Sequence, residues 1–171
     1  MIPLQRGPIP PGRSRHRPGG PPPTGTTPAP SDPRFPAGPG ILVTTSRRAD
    51  PLVRRIGRDL AFAAGGRYVT RGKGGLSQPP FCDGTVFVLS KDGEGIRMQV
   101  LGGTAGEAVL HFATVREEVR AGPLKRGLIT GSGVLLSSLS PFLPILRETG
   151  LPHTLTLHGL QGRQISLEVG P

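Results

Sequence analysis

An abrupt change of character at Ile41 constrains this chain more than any other feature. Half of the first 40 residues are Pro or Gly, three prolines stand at 21–23, and no apolar periodicity runs through the segment. Such a stretch cannot bury enough apolar area to offset the entropy of ordering it, and its prolines lack the backbone donor that a helix or central strand needs. Residues 1–40 are therefore expected to be a disordered low-complexity extension. The fold must come from residues 41–171, about 130 positions and enough for one domain with its own core.

Ile41-Leu42-Val43-Thr44-Thr45 is a short β-branched apolar run after a Pro-Gly break, which reads as a buried strand. Asp50 then offers an N-cap, Pro51 a first helical residue and Gly65-Gly66 a stop, predicting a helix of roughly fourteen residues. At about 100° per residue, Leu52, Val53, Ile56, Leu60, Ala63 and Ala64 share one core-facing arc. Arg54, Arg55 and Arg58 fall on the opposite face, where Arg55 and Asp59 are spaced for an i,i+4 ion pair. Phe62 projects among the arginines, so it either covers a neighbouring element or is open to a stacked base. Arg67-Tyr68-Val69-Thr70 reads as a second strand, parallel to the first. The turn Arg71-Gly72-Lys73-Gly74-Gly75 that follows can bring its backbone close to a ligand.

Downstream, a run from Gly84 to Leu89 and another from Ile96 to Val100 flank Asp92-Gly93-Glu94-Gly95, a hairpin signal. A further strand is expected from Ala108 to Ala113. Ser140-Pro141 predicts the start of a short helix that Gly150 closes, and His153 to Leu157 with Gln164 to Val169 predicts a final hairpin. The whole is a mixed-sheet α/β domain. With Trp absent, its larger core pieces are Phe62, Phe81, Phe87, Phe112 and Phe142.

The formal charge of +10 is concentrated. Residues 1–40 carry five Arg against Asp32, residues 41–78 carry seven Arg and one Lys against Asp50 and Asp59, and the remainder balances eight basic against eight acidic side chains. The excess is mostly Arg, whose planar fork suits phosphate oxygens, so a polyanionic partner is expected on the N-terminal half. No run of eighteen apolar residues and no apolar signal segment occurs, which predicts a soluble cytoplasmic chain with no membrane contact. The single Cys82 has no internal partner for a disulfide and reads as a small, partly buried residue.

Catalytic patterns fail one by one. A phosphate loop ending at Gly72-Lys73 would want Gly at position 67 and Ser or Thr at 74, which are Arg and Gly. His153 and His158 stand five apart near a strand, where odd spacing sends side chains to opposite faces, and His16 and His111 have no companions at ligand spacing. Gly131-Ser132-Gly133 lacks the spacing of a nucleophile elbow and reads as a flexible turn, and Glu117-Glu118 are adjacent and poorly placed as an acid and base pair. No catalytic residue, metal site or cofactor is expected, and the chain reads as a non-enzyme.

Leu42-Val43-Thr44-Thr45-Ser46-Arg47-Arg48, a basic helix, and Arg67-Tyr68-Val69-Thr70-Arg71-Gly72-Lys73 stand in an order and at a spacing similar to the opening of archaeal Brix-domain proteins. The resemblance covers residues 41–76, and downstream of Phe81 it is one of strand order and length. It implies an α/β fold like the anticodon-binding domain of class II tRNA synthetases, built from two related halves, and a role in ribosomal RNA processing and subunit assembly. It also implies that Thr44, Thr45, Ser46 and Arg47 sit at a strand-to-helix junction and Arg71, Gly72 and Lys73 at the next turn. Together with Arg48, Arg54, Arg55 and Arg58, these are the expected RNA-binding residues. The expected partner is a ribosomal RNA precursor, bound by a monomer alongside ribosomal proteins or other assembly factors. The alternative is a protein-interaction adaptor with no direct RNA contact. The long proline-rich extension and the Gly74-Gly75 pair depart from the family pattern.

Overall fold

A computed structural model describes residues 40–71, 75–76, 84–102 and 105–170. The expected disordered extension, apart from Gly40, and Gly72, Lys73 and Cys82 lie outside the described residues. The elements run β1 (Ile41–Thr45), α1 (Pro51–Ala64), β2 (Arg67–Tyr68), β3 (Thr85–Asp92), β4 (Gly95–Gly102), β5 (Gly106–Val119), β6 (Leu128–Thr130), α2 (Gly133–Leu139), β7 (Ile145–Arg147), β8 (Thr154–His158) and β9 (Arg163–Val169). The strands form one mixed sheet in the order β2-β1-β3-β4-β5-β9-β8-β6-β7.

Both ends of this sheet are strand-helix-strand units. β1 and β2 pair in parallel around α1, and β6 and β7 pair in parallel around α2. The two halves then differ, because β1 also pairs in parallel with β3 whereas β6 pairs antiparallel with β8. Alternation along the strands sends Val43, Phe87, Leu89, Met98, Val100, Leu155, Leu157, Ile165 and Leu167 to one face. There they meet Val53, Ile56 and Leu60 of α1 and Leu135 and Leu139 of α2 in one core. Leu42, Val86 and Val88 form a smaller cluster on the opposite face, with Val69, Leu76 and Leu101 against them.

Local chemistry explains α1. The Asp50 carboxylate accepts from the Val53 amide at 2.9 Å, Pro51 follows, and Gly65 ends the helix in the left-handed region at φ 69°. The Gly66 amide donates to the Ala61 carbonyl at 2.8 Å, closing the last turn. The buried arc is wider than the apolar spacing implies: Asp59 and Ala61 are buried along with Val53, Ile56, Leu60 and Ala63, while Leu52 is exposed. The helix is covered by β8 as well as by β1 to β3. The expected Arg55–Asp59 pair does not form, because Asp59 turns into the interior and Arg55 instead reaches Glu117 at 2.7 Å.

The hairpin of β3 and β4 and that of β8 and β9 stand where the sequence places them. β2 stops at Tyr68, although the Val69 amide still donates to the Val43 carbonyl at 2.8 Å. β5 extends well beyond Ala113: it pairs with β4 up to Phe112 and with β9 from Phe112 to Val119, the β9 pairing shifting register between Phe112 and Thr114. The second helix is displaced from its expected site at residues 140–150. It begins at Gly133, where the Ser132 hydroxyl accepts from the Leu135 amide at 3.4 Å, so the supposed flexible turn Gly131-Ser132-Gly133 is its N-terminal cap. Part of the expected helix is strand β7, which follows Pro144.

Candidate nucleic-acid interface

The chain leaves β1 in one direction to reach β2 and later returns to its other side to form β3, so the strand order reverses at β1. In α/β sheets the crevice outside the carboxyl ends of the parallel strands at such a reversal is a natural ligand position. Here it is occupied by Thr45, Ser46 and Arg47 from the end of β1, Arg54 from the first half of α1, and Thr70 and Arg71 after β2. The Ser46 amide donates to the Leu89 carbonyl at 2.8 Å and the Ala49 amide to the Ser46 carbonyl at 3.1 Å, which fixes the turn carrying Arg47 and Arg48.

The crevice encloses about 110 Å3, far below the roughly 300–1,000 Å3 of a small-molecule or cofactor site. Among the described residues, three guanidinium groups and three hydroxyls line it and no carboxylate does. Arg71 Nε is buried and has no hydrogen-bond partner among the described residues. Leaving a buried donor unmet costs about 1–3 kcal/mol, and more when the group is charged. An anion of phosphate size would meet that donor and suit the guanidinium forks around it.

The other expected RNA-binding residues are dispersed around this crevice. Arg48 is exposed on the same turn. Arg58 is exposed on α1 and lies over the Tyr68 ring, 5.7 Å from its centroid, while the Tyr68 hydroxyl meets the Thr45 hydroxyl at 3.2 Å. Arg55 is committed to Glu117. Thr44 is fully buried and its hydroxyl has no partner among the described residues, while its neighbour Thr45 lines the crevice. Thr70, which is not among the expected RNA-binding residues, also lines the crevice; its place directly before Arg71, in the same motif, is the sequence signal for it.

Phe62 resolves its two alternatives toward packing, since it is half-buried and Arg126 lies over its ring at 5.1 Å. His111 Nδ1 meets Asp92 at 2.8 Å on the surface. His158 is buried and its Nδ1 accepts from the Lys125 amide at 2.9 Å. Burial, then the positive charges of Arg120 and Lys125, hold its pKa below the usual value of 6.5. Among the described residues no three His, Cys, Asp or Glu side chains gather as a metal would require, and no helix is long and apolar enough to cross a membrane.

No protein-family model and no curated protein matches the sequence. Solved structures do. The crystal structure of Mil, an archaeal Imp4-like protein, matches with a TM-score of 0.55 at 21% identity, over 75% of this chain and 96% of its own. A probable ribosomal biogenesis protein from Aeropyrum pernix K1 matches with a TM-score of 0.46 at 16% identity, over 78% of this chain and 97% of its own. The first likeness shows the fold: the described domain has the Imp4-like α/β architecture, as the resemblance of residues 41–76 to Brix-domain proteins implied.

Proposed function

We propose that this chain is a non-catalytic RNA-binding factor of ribosome assembly that holds a ribosomal RNA precursor by its phosphates. The observation that carries the reading is the crevice at the carboxyl end of β1, lined by Arg54 and Arg71 together with Arg47, with no carboxylate among its described lining residues and a buried Arg71 donor that lacks a partner among the described residues. Phosphate contacts position an RNA without reading its sequence, and arginine forks supply them. Arg48, on the turn after β1, and Arg58, over the Tyr68 ring, extend the surface, with Thr45, Ser46 and Thr70 as hydroxyl donors. Gly72 and Lys73 belong to it on the strength of the sequence motif. Arg55, paired with Glu117, contributes least.

The Brix-like motifs and the Imp4-like fold support placing this RNA within ribosome assembly. The protein works in the cytoplasm as a monomer, alongside ribosomal proteins or other assembly factors, and its contribution is to hold an RNA conformation instead of making or breaking bonds. The test is recovery of ribosomal RNA precursors with the tagged chain from its native cells. Recovery that RNase abolishes, and that Arg54→Glu with Arg71→Glu loses, supports the reading. Association with assembly intermediates that survives both RNase and the double substitution overturns it in favour of a protein adaptor.

A further inference from the structure

The C-terminal half carries a second cavity, on the sheet face opposite the helices. Along β8 and β9 the core takes Leu155, Leu157, Ile165 and Leu167, so the alternate residues, among them Thr156, His158, Gln164 and Ser166, line the other side. The segment that follows β5 crosses this face and encloses about 320 Å3, at the low end of small-ligand sites.

Two polar groups on its floor have spare hydrogen-bonding capacity. His158 and Gln164 are direct partners across the β8–β9 ladder. Because His158 Nδ1 accepts from the Lys125 amide, the neutral ring carries its proton on Nε2, a donor that meets nothing among the described residues. The lowered pKa of His158 keeps the ring in that neutral form. The Gln164 side-chain amide, a donor and an acceptor together, likewise has no hydrogen bond among the described residues.

The walls suit a flat, weakly polar ligand better than a bare anion. Ile129 and Leu151 are apolar, and Lys125 is neutralised by Glu148 at 2.9 Å, which leaves Arg120 as the one unbalanced charge among the described lining residues. Arg120 is held in place: its amide donates to the Gly162 carbonyl at 2.7 Å and its Nε to the Gly122 carbonyl at 3.0 Å. A guanidinium plane fixed in this way is a stacking surface for a base.

We propose that this cavity receives a single unstacked RNA base, whose hydrogen-bonding edge meets Gln164 and His158 while its face lies against Arg120. The proposal rests on the RNA-binding reading for the source of the base, and it adds base recognition on one half of the sheet to phosphate holding on the other.

Titrating the isotope-labelled full-length chain with each of the four nucleoside 5′-monophosphates, and separately with inorganic phosphate, tests it by NMR. Saturable shifts of the His158 ring and Gln164 side-chain signals at millimolar nucleotide are expected, unequal among the four bases and absent with phosphate alone. Gln164→Ala, a half-buried position outside the core, should weaken the tightest nucleotide about five- to tenfold, the loss of one well-made hydrogen-bond pair. Equal shifts from inorganic phosphate would overturn the proposal in favour of an anion site, and the same shifts from a glutamate-rich peptide would reassign the cavity to a protein partner. No nucleotide response, or one that Gln164→Ala leaves unchanged, would also overturn it. The two readings fail separately: Arg54→Glu with Arg71→Glu should abolish RNA retention and preserve the nucleotide shifts, whereas nucleotide shifts in an unsubstituted chain that retains no RNA would reject the phosphate surface alone.

Discussion

Asp59 and Arg163, 104 positions apart in the chain, meet in a two-pronged ion pair that ties α1 to the corner between β8 and β9. Arg163 Nε reaches Oδ2 at 2.9 Å and Nη2 reaches Oδ1 at 3.0 Å, while the Leu160 amide also donates to Oδ1 at 2.9 Å. Asp59 is fully buried, so truncating Arg163 would strand its charge in the interior. Breaking a buried pair from one side costs about 3–5 kcal/mol, and Arg163→Ala is expected to lose that much in denaturant unfolding. Replacing both partners by apolar residues of similar volume should cost much less. A loss below about 1 kcal/mol for the single variant would contradict this role for the pair.

Gly159 belongs to the same corner. A Cβ there would lie 2.5 Å from Asp59 Cγ, against a carboxylate held by three hydrogen bonds. Gly159→Ala is expected to destabilise by about 1–3 kcal/mol, the usual cost of overpacking. An Asp59→Ala background removes the carboxylate contacts and leaves the Cβ of residue 59 at 2.9 Å, so the crowding is eased and the two losses should fall short of additivity in a double-mutant cycle. Strict additivity would show that the crowding is relieved elsewhere.

His158 gives the fold a pH dependence whose sign is set by its lowered pKa. Burial, Arg120 and Lys125 oppose the charged ring and Glu148 favours it, with the net effect downward from 6.5. The unfolded chain therefore takes up a proton first as pH falls, so this contribution is fully present above about pH 6.5 and is lost as pH drops through the folded value. The denaturation midpoint should decline over that window, and His158→Gln should flatten the decline. An identical slope in the variant would assign the effect to another group.

What was legible in the sequence was local. Asp50, Pro51 and Gly65 bracket α1 within a few residues of its ends, and the Asp92 to Gly95 turn marks its hairpin directly. The second helix was misplaced because Ser140-Pro141 imitates a helix start, whereas the true cap, Ser132, is followed by a helix of only 7 residues with Gly133 in its first turn. β6 and β7 have 3 residues each, too short for any periodicity to show. The Arg55–Asp59 expectation failed for a non-local reason, since the better partner of Asp59 arrives from β9. The crevice was partly legible because one strand-helix-strand unit brings Arg47, Arg54 and Arg71 together, and the motif residues already marked both of its ends. The cavity at His158 gave no sequence signal, because it depends on pairing between β8 and β9 and on the segment after β5.

The central claim is that the crevice holds RNA phosphates, and the dependence of affinity on salt tests it most directly. Each phosphate contact contributes about 0.7–0.9 to the slope of log affinity against log salt concentration. For a ribosomal RNA fragment, Arg54→Ala with Arg71→Ala should lower the magnitude of that slope by about 1.4–1.8 and weaken binding to unrelated sequences alike, with the unfolding midpoint preserved. A slope and affinity equal to those of the unsubstituted chain would contradict the account.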